Sequence, residues 1–211
     1  MLRALLRPVL LSIALIFLFS CAPKRVEIPT YEGVDVREVL SARNTISAID
    51  ATFTIIFEKG DTEMRGEGVL NMSRNGDLNL RVYSLGFLGL EVISKAGVIR
   101  SNPRIDRNKC RILTQGLRDC LFWWDVQDYD VNEKDDGMYL LKNSSREVWL
   151  DKKTMLPIKQ RVILDNGIEI YISYEDMTKM GNVWCPSTIK IELSQYSVKL
   201  RFKEISFTGD V

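Results

Sequence analysis

The chain has 211 residues, with 29 basic against 28 acidic side chains, a formal charge of +1 and no histidine. That balance offers no basic field for a nucleic acid. Without histidine the commonest general base and metal ligand are gone, so no catalytic residue, metal or cofactor is expected, and an enzyme is the least favoured class.

The first twenty residues read as a secretory signal. Arg3 and Arg7 precede the run from Val9 to Ser20, which is apolar but too short to span a bilayer. Leu18-Phe19-Ser20-Cys21 resembles a bacterial lipobox. The resemblance implies that Cys21 is diacylated, becomes the new N-terminus and is then N-acylated. Ala22 follows it, where an aspartate would favour inner-membrane retention, so the resemblance points to the outer membrane. Cleavage before Cys21 leaves 27 basic and 28 acidic residues. No second apolar run is long enough to cross a membrane, so the remainder is expected to be soluble and tethered by lipid.

Residues 21–34 carry Pro23, Pro29 and Gly33 and read as a tether. From Asp35 the spacing of Val36, Val39, Leu40, Ile46 and Ile49 predicts an amphipathic helix over 35–48. Asp35 is its N-cap, with Glu38 completing a capping-box-like pair. After Asp50 the period becomes two. Phe53, Ile55 and Phe57 alternate with Thr52, Thr54 and Ile56, and further alternating runs cover 65–72, 78–83, 88–94 and 98–101. Lys59-Gly60-Asp61 and Arg74-Asn75-Gly76-Asp77 are turns.

Residues 102–125 break the alternation and read as a loop with one or two short helices. Phe122-Trp123-Trp124 belong either to a cavity mouth or to the core. Strands resume over 138–142, 147–150, 158–164, 168–173, 189–193 and 198–203, with a hairpin turn at Asp165-Asn166-Gly167. Ten or eleven strands in one antiparallel order curl rather than stay flat. The expected fold is mainly β: an incomplete, half-open barrel over 35–211, with the helical pieces as its lid.

Three cysteines remain beside Cys21. A Cys110–Cys120 bridge would pin the segment between them and leave Cys185 over, though the sequence leaves the pairing open. Gly86-Phe87-Leu88-Gly89 places two large apolar residues between glycines in a turn. Exposed, they point to a membrane or a partner.

This order of elements resembles the LolA/LolB superfamily of lipoprotein carriers and receptors. Met64-Arg65-Gly66-Glu67-Gly68-Val69-Leu70 resembles that family's glycine-containing second strand, and Asp151-Lys152-Lys153-Thr154-Met155-Leu156-Pro157 a strand-turn-strand common in it. Tyr83-Ser84-Leu85-Gly86-Phe87-Leu88-Gly89-Leu90-Glu91 is similar to the protruding loop of its outer-membrane receptor branch, LolB. The lipidated Cys21 favours that branch over the unanchored carrier.

The resemblance implies a cavity for acyl chains, for which Phe53, Phe57, Leu70, Leu80, Leu90, Ile170 and Leu200 are candidates. It implies a membrane-inserting role for Phe87 and Leu88. Arg74 falls where the carrier has an arginine bonded to its lid, with Asn75 in place of the carrier's following proline. The implied partners are acylated lipoproteins, a soluble periplasmic carrier and the inner leaflet of the outer membrane. Alternatives are a lipid- or glycolipid-binding module, or a structural subunit of an envelope complex.

Overall fold

The computed structural model describes residues 27–31, 33–165 and 167–209. The expected signal segment, the expected lipidation residue Cys21 and the turn residue Asn166 lie outside the described residues.

The helix expected over 35–48 is shorter. Helix α1 spans Val36–Ala42, and Asp35 caps it by accepting a hydrogen bond from the Arg37 N–H at 2.8 Å. A 3-10 turn, Arg43–Thr45, ends it. Ile49 then belongs to the first strand, because β-branched and aromatic residues from Ala48 onward take up a period of two.

Five strands follow: β1 (Ala48–Lys59), β2 (Thr62–Ser73), β3 (Leu78–Ser84), β4 (Phe87–Lys95) and β5 (Val98–Asn102). The helical insert comprises α2 (Arg107–Arg111), a π turn (Ile112–Gly116) and α3 (Leu117–Leu121). Seven strands complete the chain: β6 (Asp130–Lys134), β7 (Met138–Lys142), β8 (Arg146–Asp151), β9 (Pro157–Ile163), β10 (Glu169–Met180), β11 (Val183–Leu193) and β12 (Tyr196–Thr208).

All twelve strands form one antiparallel sheet in the order β5-β4-β3-β2-β1-β12-β11-β10-β9-β8-β7-β6. That exceeds the expected ten or eleven. The additional strand is β6, whose sequence Asp-Val-Asn-Glu-Lys shows almost no apolar signal because it is an exposed edge. Strands β10 and β11 also run farther than the alternation suggested.

The two edge strands do not pair with each other, so the barrel stays open. The chain passes from one edge to the other through the insert, which covers the concave face. Ile112, Leu113, Leu117, Cys120, Leu121, Phe122, Trp123 and Trp124 on the insert are buried against Ile49, Leu70, Ile172, Ile191 and Leu200 of the sheet cluster. At roughly 1.5–3 kcal/mol for each large apolar side chain, this contact is a main source of stability for the insert. The fold is the half-open barrel with a helical lid. Among the described residues no helix is long and apolar enough to cross a membrane.

Candidate functional site: an apolar pocket, its lid and an exposed hairpin

A cavity of about 270 Å³ lies between the β1–β4 wall and the start of the lid. Phe57 of β1, Met64 of β2, Val82 of β3 and Leu90 of β4 line one side, and Ile105, Lys109 and Leu113 close the other. The Lys109 ammonium lies 4.3 Å from the centre of the Phe57 ring. Burial pushes its pKa below the ordinary lysine range, against the opposing charge of Asp106. The pocket is thus an apolar slot with two cationic residues, Arg65 and Lys109, in its lining.

Of the seven candidate cavity residues, Phe57 and Leu90 line this pocket. Phe53, Leu70, Leu80, Ile170 and Leu200 do not; each is fully buried in the core cluster. Phe122, Trp123 and Trp124 are likewise core residues, all under 5% exposed. The glycine-containing strand has a packing reason. The Phe53 ring occupies the place a Gly68 side chain would need, and stacks edge-on to Phe202 at 5.4 Å between centroids.

The hairpin next to the pocket differs from its sequence reading. Its two-residue turn is Leu85-Gly86, both at positive φ (52° and 81°), as a type I′ turn requires. Phe87 and Leu88 already belong to β4. Leu85 is 95% exposed, Phe87 79% and Leu88 50%. Neighbouring residues on a strand normally face opposite sides. Here the register slips between Val82–Leu90 and Tyr83–Leu88, leaving Gly89 unpaired in a bulge, and Phe87 and Leu88 are both exposed. Sequence reasoning passed over Leu85. A Leu-Gly pair between two alternating runs is the signal that could have found it.

The far end of the lid is clamped by arginines. Arg74 donates to the Asn44 carbonyl at 2.8 Å, to Asn44 Oδ1 at 2.9 Å and to Asp125 Oδ1 at 2.7 Å. Arg118 holds the other oxygen of Asp125 at 3.0 Å. Burial opposes ionisation of Asp125, but the Arg74 hydrogen bond and the two nearby guanidiniums outweigh it and hold its carboxyl below the usual range. The buried Arg146 donates to the Asp119 carbonyl, in the last turn of α3, to the Asp125 carbonyl beyond it and to Gln160 Oε1. Arg74, in the turn between β2 and β3, therefore contacts the lid through Asp125, just past α3. Arg146 and Asp125 carried no local signal in the sequence.

The Cys110–Cys120 bridge is not formed: Cys110, Cys120 and Cys185 are free thiols. Cys110 and Cys120 lie on one nearly continuous helical segment, where ten residues rise about 15 Å, well beyond disulfide reach.

No family model matches the sequence, and no curated protein matches it. Solved structures match the fold. A DUF1329 family protein from Desulfovibrio piger superposes with a TM-score of 0.55 at 10% identity, over 84% of this chain and 92% of that one. A LolA superfamily protein from Nitrosomonas europaea gives 0.55 at 14% identity, over 85% and 96%. A domain described as an outer-membrane lipoprotein-sorting protein domain, from Vibrio parahaemolyticus, gives 0.45 at 17% identity, over 83% and 92%. For the first two, at these identities, the likeness is one of fold.

Proposed function

We propose that this chain is a lipoprotein, anchored through Cys21 in the periplasmic face of the outer membrane, that accepts acylated lipoproteins from a soluble carrier and promotes their insertion. The observation that carries this reading is the hairpin: Leu85, Phe87 and Leu88 stand exposed beside an apolar pocket. Exposed apolar side chains held at a strained turn serve contact with something apolar.

The energetics need no catalyst. Each methylene leaving water contributes about 0.8 kcal/mol, so one ordinary acyl chain carries on the order of 10 kcal/mol. A shallow pocket lowers the barrier to crossing water, and the membrane beyond the hairpin is the deeper well. Residues 22–31 can extend roughly 35 Å. Through the β1–β2 and β2–β3 registers the hairpin turn lies level with Ile56 of β1, and α1 feeds the Ala48 end, about 26 Å away along the strand. A tether of that reach lets anchor and hairpin share one bilayer.

The test is transfer from a loaded carrier to outer-membrane vesicles. Leu85→Glu and Leu88→Glu should keep lipoprotein bound to this protein while abolishing its delivery. Normal delivery by both variants would sink the reading.

One observation favours a second reading, a structural subunit of an envelope complex. Five of the seven candidate cavity residues are fully buried in the core cluster rather than lining the pocket. That reading expects no acyl ligand on protein purified beside an acylated lipoprotein, and unchanged binding of partner proteins when Phe57 or Leu90 is altered.

A further inference from the structure

A second cavity, about 490 Å³, opens between α1 and the β10–β11 hairpin and shares no lining residue with the pocket under the lid. Tyr31, Val39, Ala42, Ile46 and Val183 give it largely apolar walls, and Arg43 is its cation. The Arg43 guanidinium carbon lies 5.1 Å from the centre of the Trp123 ring and 5.6 Å from that of Trp124. Its Nη2 donates to the Trp184 carbonyl at 3.3 Å. Its Nη1 is wholly buried and has no hydrogen-bond partner, and the same holds for Trp124 Nε1.

Among the described residues, no carboxylate lies within ion-pair distance of Arg43, and burial disfavours its charged form. A cation taken out of water without a counter-ion is costly, and aromatic stacking offsets part of that cost. An unpaired cation in the lining of a largely apolar cavity is the complement of an oxyanion on an apolar body.

We propose that Arg43 forms the cationic end of a binding site for an anionic amphiphile whose carboxylate or phosphate meets it in the cavity beneath α1. The apolar part of that ligand lies against Val39, Ile46 and Val183.

The test is calorimetric titration of the full chain, solubilised in non-ionic detergent, with hexanoate, hexyl phosphate and uncharged hexanol. Binding of either anion, at least about tenfold stronger than hexanol, supports the site, and the stronger of the two identifies the headgroup. Arg43→Gln should abolish the preference for the anions. Ala42→Phe should block the cavity and abolish binding while leaving the arginine–tryptophan stack in place. Failure of both anions to bind, equal binding of hexanol, or unchanged binding by Ala42→Phe overturns the proposal, the last even if Arg43→Gln does not fold.

Discussion

The Phe53 ring fills the space of the side chain that Gly68 lacks: a Cβ on Gly68 would stand 2.2 Å from Phe53 Cε2. The two residues face each other in the β1–β2 register. Strand β2 accepts a glycine, poor in strand propensity, because a ring from β1 packs over its backbone.

Gly68→Ala should therefore destabilise the domain by about 1–3 kcal/mol through overpacking. Denaturant unfolding would show a lower midpoint at an unchanged slope. Adding Phe53→Leu should recover part of the loss, because the smaller side chain vacates the disputed space. Additive costs for the two substitutions would argue against the pairing.

The Arg74–Asp125–Arg118 cluster gives the lid a pH dependence. The folded Asp125 carboxyl ionises below its unfolded value, which is near 3.9. Its contribution is present above that unfolded value and is lost as pH falls through the lower folded one. Hydrogen exchange at the 117–126 amides should accelerate as pH drops through that window, after correction for intrinsic exchange. Asp125→Asn should exchange faster at neutral pH, by an opening cost of about 1–3 kcal/mol, and lack the acid step.

Leu85 sits where a β-hairpin prefers asparagine. A leucine at φ 52° costs on the order of 1 kcal/mol. Leu85→Asn should leave the melting temperature equal or higher while weakening binding to phospholipid vesicles, measured by flotation. A fall in stability would mean that Leu85 packs in the fold; unchanged flotation would mean that the strained leucine serves another purpose.

The thiols give a direct check on the insert. Cys110 is half-buried, while Cys120 and Cys185 are buried, and burial pushes the Cys185 thiol up to about 11. Alkylation of the native chain should modify Cys110 first, and the other two only on unfolding. Mass spectrometry under oxidising conditions should detect no Cys110–Cys120 bridge, since forming one would require melting the helix between them.

What the sequence by itself determined is what depends on near neighbours. Alternation at 53–57, 65–72 and 198–203 specified strands, Asn75-Gly76 specified a turn, and the break after Pro103 specified the helical insert. A period of two needs only a handful of residues to show itself. The tertiary structure decided whatever depends on residues far apart. The same alternation leaves Phe53 and Phe57 indistinguishable, yet one is sealed by Gly68 and Phe202 while the other lines a pocket beside Lys109. Arg146 looks like any strand arginine until the lid's last carbonyls fold over it. The exposure of Leu88 follows from one unpaired residue at Gly89, which turns it to the face opposite Leu90. Burial, capping and register belong to surfaces that meet only when the chain closes on itself, and no local pattern records which surfaces those are.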